Sequence, residues 1–282
     1  MYRLAFPSIV ILAAGAVFLG AQQKLYIEPP HASGQGVTPA YEGWFSNPDG
    51  SFSLLFGYFN RNQKQELDIP VGPDNHIDPG GPDQGQPTHF LTRRRWGMFT
   101  ITVPKNFAGK LTWTLIANGK TAQVPAGIDP LWELSPFKDA TGDTPPFIGF
   151  TQAGPFVNGP RGQTLSVSGS TSDPVPLNLW VADDASVIPG ATRPKTPAVS
   201  LTWSKFRGPG EVTFAKDRPA IENAQVQGAE NPIFSGKAST SATFSEPGEY
   251  VLHVVANDWT GDGGRGFQCC WSNAQVKVSI RK

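Results

Sequence analysis

The sequence has few cysteines, no excess of either charge and, beyond its first residues, no run apolar enough to cross a membrane. Only two of its 282 residues are cysteine, so any disulfide must involve these two. Lysine plus arginine and aspartate plus glutamate each number 23, which argues against a nucleic-acid partner held by bulk positive charge. Gly-x-Ser-x-Gly, His-Glu-x-x-His, P-loop and Gly-x-Gly-x-x-Gly patterns are also missing, so no motif identifies an enzyme and the question of catalysis stays open.

Glycine, proline and aromatic residues are abundant instead. The 31 glycines and 27 prolines make up about a fifth of the chain, against a usual ~12%. Turn formers at this density interrupt helices every few residues, which excludes a long helical bundle. With 18 Phe, 8 Trp and 5 Tyr, the chain can still bury a substantial core. These features predict an all-β, turn-rich protein.

The first residues have the pattern of a secretory signal peptide, predicted over residues 1–21. Arg3 precedes an apolar run over Ile9–Leu19, and small residues follow it. We predict cleavage near Ala21, with Ala16 as the second choice and an uncleaved anchor as the alternative. The run is shorter than the ~20 residues that a membrane span needs. The expected product is therefore secreted or periplasmic, with no membrane span after cleavage.

Two β-sandwich domains are predicted to follow. The predicted divisions are a lead-in over 22–41, an N-terminal β domain over 42–145, a Pro/Gly-rich linker over 146–162 and a second sandwich over 163–282. In the first domain, Gly97–Val103 and Leu111–Ile116 alternate apolar and polar residues as strands do. Asn118 and Gly119 follow and predict a type I′ hairpin, because both central positions of that turn need a positive φ.

The second domain divides into seven strand-like segments, the number that an immunoglobulin-type sandwich needs. They are Thr164–Ser168, Leu177–Ala182, Val199–Ser204, Glu211–Phe214, Ser239–Phe244, Glu249–Asn257 and Asn273–Ile280. The long connection after the fourth segment predicts an extra helical turn around Ile221–Ala224.

Three stretches of this domain resemble Ig-like domains of the polycystic-kidney-disease (PKD) type and their bacterial relatives. Leu201–Phe214 (LTWSKFRGPGEVTF) resembles their strand-turn-strand with a core Trp203, and Ala238–Phe244 (ASTSATF) fits a later strand. Phe244–Trp259 (FSEPGEYVLHVVANDW) resembles their Pro-Gly-x-Tyr turn and sixth strand. The resemblance covers roughly the last 120 residues and implies an Ig-like sandwich used for extracellular recognition or spacing, without implying catalysis. The first domain is only loosely similar to exported bacterial proteins of unassigned role.

The sixth segment also predicts its own packing. Tyr250 stands where a tyrosine corner would be, and Leu252 occupies the position at which antibody domains place a cysteine. Val251, His253 and Val255 face the other way, either covered by the first domain or exposed as ordinary surface residues.

The two cysteines, Cys269 and Cys270, are neighbours in the chain. Adjacent Cα atoms lie ~3.8 Å apart across a trans peptide, below the usual ~4.4–6.8 Å of disulfides. For an oxidising compartment we predict a vicinal disulfide, with free thiols, intermolecular bridges and a bound metal as alternatives.

Residues 70–90 lack periodicity and are predicted to form a long loop. Its Asp74, Asp78 and Asp83 are candidate ligands for Ca²⁺, a cation that binds about six to eight oxygens. The two histidines of the segment suit a transition metal instead, and a plain solvated loop is the third interpretation.

A basic run at Arg93–Arg95 stands beside Trp96 and suits an anionic sugar or lipid headgroup. Arg95, Trp96 and Trp271 are the candidate ligand-binding residues. The alternative is that the run only discourages edge pairing of a strand.

The favoured function is a secreted, non-catalytic binding or structural module at the cell surface, which recognises carbohydrate or a protein. Carbohydrate fits because sugar faces stack on flat aromatic rings. The alternative function is a metal-binding protein or a hydrolase with its site under the loop over 70–90.

Overall fold

The computed structural model describes residues 31–187, 190, 192, 194–229, 232–260 and 269–282. These residues form an all-β protein, which confirms the predicted fold class. The signal peptide predicted over 1–21 lies outside the described residues. Within the described ranges, the structure contains no helix with the length and apolar character needed to cross a bilayer.

The N-terminal unit contains the first eight strands. They are β1 (Val37–Ser46), β2 (Phe52–Asn60), β3 (Leu67–Asp68), β4 (Asn75–Asp78), β5 (His89–Phe90), β6 (Arg93–Val103), β7 (Leu111–Ala117) and β8 (Lys120–Ala126). Strands β1, β2 and β6 form one antiparallel sheet, β4, β7 and β8 form a second, and β3 pairs with β5. Apolar residues that alternate along these strands meet between the two larger sheets as one core.

Aromatic rings fill the centre of this core. Phe56 of β2 stacks on Phe99 of β6 with ring centroids 5.2 Å apart, and the Trp113 ring meets both of them edge-on. Trp113 of β7 donates its indole N–H to Asn75 Oδ1 at 3.0 Å, which satisfies its one polar atom. At the β7–β8 turn, Asn118 and Gly119 have φ values of 50° and 72°, as a type I′ hairpin requires.

Two expectations for this unit are corrected. Strand β1 begins at Val37, inside the predicted lead-in, because Val37 is buried in the core. The predicted loop over 70–90 contains β4, which pairs with β7. The apolar pattern of this segment did not predict β4, because the segment is organised by Asn75. The fully buried side chain of Asn75 donates hydrogen bonds to the backbone carbonyl oxygens of Ile69 and Pro87. Polar satisfaction, rather than apolar periodicity, organises this segment.

The C-terminal unit contains the remaining nine strands. They are β9 (Phe147–Gly149), β10 (Thr164–Ser170), β11 (Val175–Asp183), β12 (Ser200–Arg207), β13 (Val212–Phe214), β14 (Ile221–Asn223), β15 (Phe234–Phe244), β16 (Gly248–Asn257) and β17 (Trp271–Arg281). One sheet has the order β10-β17-β16-β12, with β10 parallel to β17. The other has the order β13-β15-β11-β9, with β14 also paired to β15. A single apolar core lies between them. All seven predicted segments are strands, namely β10, β11, β12, β13, β15, β16 and β17.

Two other expectations fail in this unit. The predicted linker over 146–162 contains β9, which pairs with β11 and buries Ile148 in the core, and a 3₁₀ turn at Gly159–Arg161. The predicted helical turn around Ile221–Ala224 is strand β14, whose Ile221 packs on the core. The stretch over 146–162 buries Ile148 fully and packs Phe150 and Val157 on the core, whereas β14 contributes Ile221 alone. Neither set of apolar residues has a regular spacing that predicts a strand.

Tyr250 forms the predicted tyrosine corner. Its hydroxyl donates to the Glu246 carbonyl oxygen at 2.7 Å and accepts from the Gly210 N–H at 3.1 Å. Burial raises the pKa of Tyr250, so the hydroxyl keeps its proton for this bond. Leu252, two residues on, is fully buried in the core of this unit.

The two units pack against each other through the outer face of β16. Val251 packs on the N-terminal core, and Val255 packs on a small cluster that includes Trp271 of β17. The face of β16 that carries Val251, His253 and Val255 is therefore covered by the N-terminal unit and is not an ordinary exposed surface. Asn273 donates its side-chain N–H to the Gly97 carbonyl oxygen at 2.7 Å, so β17 is bonded directly to β6.

Gly97 allows this close approach. Its φ is +54°, and a Cβ added there would lie 2.2 Å from the Trp271 ring. Gly119, with φ +72°, has nothing within 4 Å of the equivalent Cβ and serves as a matched control. We expect Gly119→Ala to lower the free energy of unfolding by about 1 kcal/mol through backbone strain alone. Gly97→Ala should cost about 2–4 kcal/mol, because the ring must also move.

Urea denaturation at constant m-value measures both losses. Equal losses for the two variants would contradict the tight contact between Trp271 and Gly97.

Candidate ligand-binding cleft

A cleft of about 920 Å³ lies between the two units. One wall comes from β6 and the segment before it, and the other comes from β12, β13 and the turn after β13. Its size falls within the roughly 300–1,000 Å³ typical of small-ligand sites, and it lies between packed units, where such sites are common.

The β6 wall carries the basic run next to a β-bulge. Pairing of β2 with β6 shifts register between Phe56 and Tyr58, so the β6 residues Trp96 to Met98 lie in the bulge. A bulge re-aims side chains, and Trp96 and Met98 line the cleft here.

Arg94 is a structural member of this wall. Its guanidinium lies 3.8 Å from the centroid of the Trp96 ring and contacts the Glu42 carboxylate at 2.6 Å. It also donates to the Tyr58 carbonyl oxygen at 3.1 Å. Burial raises the pKa of Glu42, and the Arg94 charge opposes that rise. Arg94 thus holds Trp96 in place, and Glu42 balances its charge.

Arg93 and Arg95 carry the charge that remains available. Arg93 is exposed and Arg95 half-buried, and both line the cleft. Arg95 Nε donates to the Thr92 carbonyl oxygen at 3.3 Å. None of the salt bridges in the described part of the chain involves either residue. An anionic group entering the cleft would therefore meet two guanidinium groups without a protein carboxylate on them.

A charged network forms the floor where the units meet. Asp68 Oδ1 accepts from Lys205 Nζ of β12 and lies within hydrogen-bond distance of His89 Nδ1, both at 3.0 Å. The other nitrogen of His89 lies 3.1 Å from Glu66. Burial raises the pKa of Asp68, but the hydrogen bonds from His89 and Lys205 outweigh this effect and leave the pKa lowered. Since both ring nitrogens of His89 already face carboxylates, this histidine holds the floor together and has no free nitrogen for a ligand proton.

The opposite wall combines acidic and apolar groups. Glu211 and Asp217 are exposed there, with Arg218 next to them. Val212 and Phe214 of β13 add half-buried apolar surface. The cleft thus has the run of arginines along one wall, and the carboxylates of Glu211 and Asp217 with the Arg218 cation beside them along the other.

The structure brings together two of the three predicted ligand residues. Arg95 and Trp96 lie side by side on the β6 wall. Trp271 also reaches the cleft but is only 3% exposed, because its ring packs on Gly97. Its ring therefore offers little surface to the cleft, and a role of Trp271 in ligand binding stays a prediction. Sequence reasoning missed the opposite wall, whose residues 202–218 show no motif and reach the basic run only through the packing of the units.

The three aspartates of the predicted cation site on the loop over 70–90 lie in separate surroundings. Asp83 forms a two-pronged ion pair with Arg207, at 3.0 and 2.9 Å, and Asp78 lies 3.3 Å from His76. Asp74 is exposed. Among the described residues, Asp74, Asp78 and Asp83 do not gather into a group with metal-ligand spacing. Asp83 ties the two units together instead.

Cys269 and Cys270 stand directly before β17, where their sulfur atoms are bonded to each other and both residues are buried. We predict that the exported protein, alkylated in denaturant, takes up no adduct before reduction and two adducts after it, measured by intact mass. Two adducts without reduction would contradict the vicinal pair.

His253 of β16 generates a prediction about pH. It is 1% exposed, between the two units, with its ring centroid 5.6 Å from that of Phe206. Burial lowers the pKa of His253 to about 4, the nearby Arg95 charge lowers it too, and Asn273 opposes the shift. An unfolded histidine titrates near ~6.5, so this group stabilises the fold fully above that pH. The contribution is lost as the pH falls towards 4.

His253→Leu should remove this loss, which amounts to at most about 3 kcal/mol. The pH dependence of the free energy of unfolding between pH 7 and 4 should become less steep for His253→Leu. An identical slope in the wild type and His253→Leu would show that His253 is not buried as a neutral group.

Comparisons with known proteins give no family. No family model matches the chain, and no curated protein matches it. Similarity to solved structures is weak, and two of them serve as examples. A protein of unknown function from Porphyromonas gingivalis W83 is 8% identical with a TM-score of 0.23, over 87% of this chain and 100% of that one. The endo-fucoidan hydrolase MfFcnA9 from glycoside hydrolase family 107 is 12% identical with a TM-score of 0.22, over 87% of this chain and 35% of that one.

Proposed function

We propose that the protein is an exported, non-catalytic recognition module whose cleft binds an acidic carbohydrate. The observation that carries the proposal is the β6 wall, where Arg93, Arg95 and Trp96 line the cleft. Among the described residues, no carboxylate forms a salt bridge with Arg93 or Arg95. Guanidinium groups bind carboxylate and sulfate groups in a two-pronged geometry.

The mixed charge of the cleft favours a sugar over a simple anion. Hydroxyl groups of a glycan can donate to Glu211 and Asp217 on the far wall while its acidic substituents face the arginines. Its apolar ring faces suit Trp96 and the half-buried Phe214.

The topology of the C-terminal unit supports a recognition role. Strand β10 runs parallel to β17 in the sheet that contains β16 and β12, and Tyr250 makes the corner contact. Both features fit an Ig-like sandwich of the kind that PKD-type domains have. We therefore assign this unit as Ig-like, and we place the mature protein outside the cytoplasm on the strength of the N-terminal pattern.

The test is binding of the mature protein to a sulfated polysaccharide, a polyuronate and a neutral glucan, measured by calorimetry. We expect binding to the acidic chains only, weakened by salt. Arg95→Ala should weaken it about 10- to 100-fold, from the loss of a charge-assisted hydrogen bond. Arg93→Asn, which keeps a residue that tolerates the φ of 70° at this position, should act in the same direction.

Arg61→Ala is the matched control, because Arg61 is an exposed arginine outside the cleft. It should bind like the wild type. Melting temperatures establish that each variant is folded. Equal binding by all three variants, or equal binding to the neutral glucan, would contradict the proposed ligand and site.

A further inference from the structure

Strand β10 is an edge of the C-terminal unit. It pairs with β17 on one side, and no strand in the described part of the chain pairs with its other side. At one end of the ladder the Gln275 N–H donates to the Gln163 carbonyl oxygen. At the other end the Thr171 N–H donates to the Arg281 carbonyl oxygen. Because backbone groups alternate in direction along a strand, odd-numbered residues of β10 bond to β17, and even-numbered residues point their N–H and C=O groups outward.

The outward backbone groups are open to another strand. They belong to Thr164, Ser166, Ser168 and Ser170. Among the described residues, no backbone hydrogen bond outside the β17 ladder involves any of these four. The side chains of Thr164, Ser166 and Ser168 are exposed, so neighbouring elements do not cover this edge. A row of free donors and acceptors of this kind is a template for pairing with a further strand.

The other edges of this unit are bonded or short. The edge of β12 is bonded to the N-terminal unit, since the Thr88 N–H donates to the Phe206 carbonyl oxygen at 3.1 Å. Ile148 of β9 exchanges two backbone hydrogen bonds with Val157. Strands β13 and β14 have three residues each. Proteins also protect edges with charged residues and prolines, but the seven residues of β10, TLSVSGS, include neither.

The sequence of β10 fits a second copy of itself. In an antiparallel pair centred on Val167, Ser166 of each copy lies opposite Ser168 of the other. Thr164 of each copy then lies opposite Ser170 of the other. All four residues carry outward backbone groups, so each opposed pair exchanges two backbone hydrogen bonds. This symmetrical register therefore satisfies the whole open edge.

Charge and side-chain size also favour pairing with an identical strand. A charged residue near the two-fold axis would meet a like charge from the other copy, but β10 has no charged residue. The whole chain has a formal net charge of zero, so two copies approach without overall repulsion. Leu165 of each copy lies opposite Gly169 of the other, which leaves room for the larger side chain.

We propose that β10 joins two copies of this protein into a dimer, in which the β10-β17-β16-β12 sheets of both copies form one continuous sheet. The two-fold axis passes between the two Val167 residues, so the assembly closes at two copies. A single pair of strands buries less than the ~1,200–2,000 Å² of stable interfaces, so this dimer should be weak and depend on concentration. Residues of β10 do not line the cleft, so the proposal is independent of carbohydrate binding.

Sedimentation velocity of the mature protein, from micromolar to sub-millimolar concentration, tests the pairing. The mass should rise from that of one chain to that of two and no further. Ser168→Pro removes one outward N–H from each copy. Proline is tolerated at such a position because this N–H does not bond to β17. The variant should stay monomeric at concentrations where the wild type is a dimer.

A charge exchange tests the register. Ser166→Lys combined with Ser168→Lys sets like charges opposite each other at two places and should weaken dimerisation about 10-fold. Ser166→Lys combined with Ser168→Glu sets opposite charges there and should restore the dimer. Thr121→Lys combined with Gln123→Lys, at exposed positions of β8, adds the same charge elsewhere and should dimerise like the wild type.

Melting temperatures establish that each variant is folded. A dimer that survives both Ser168→Pro and the two lysine substitutions in β10 would place the interface on another surface. A wild type that stays monomeric throughout would overturn the self-pairing and leave this edge to a strand of a different protein. Growth beyond two copies would contradict the two-fold arrangement.

Discussion

The contact between Gly97 and Trp271 is the constraint on which the rest of the structure depends. Without a side chain at Gly97, the β6 backbone approaches the Trp271 ring, and Asn273 can reach the carbonyl oxygen of Gly97. This approach sets the distance between the units and therefore the width of the cleft between them. Gly97 also lies in the β-bulge of β6, and this bulge directs the side chain of Trp96 into the cleft. One residue without a side chain thus positions both the interface and the binding wall.

Most of the fold was predictable where one face of a strand is apolar. Leu111–Ala117 alternates cleanly and forms β7, and the Asn118 turn needed no tertiary information. Strand β4 was not predicted, because the side-chain amide of Asn75, a polar residue, organises it through hydrogen bonds to the carbonyl oxygens of Ile69 and Pro87. Short strands such as β9 were also not predicted, because three residues are too few to show an alternating apolar pattern.

The sites were predictable only where their residues are consecutive. Arg95 and Trp96 are neighbours in the chain, so their shared chemistry was visible, whereas the opposite wall joins them only through the packing of two units. Three buried aspartates, Asp143, Asp183 and Asp258, likewise come from distant parts of the chain. Composition and spacing cannot predict that these residues lie close together, because only the order of the strands in the sheets brings them there.

The double burial of β16 limits how this protein can be divided. Its inner face holds Leu252 in one core, while its outer face presents Val251 to the other. Phe206 of β12 is likewise buried in the N-terminal core although its strand belongs to the C-terminal unit. Excising the C-terminal unit would expose the apolar outer face of β16 and the side chain of Phe206 to solvent. Exposed apolar patches of this kind promote self-association. The two units are therefore expected to be stable only as one covalent piece, because each covers apolar surface of the other.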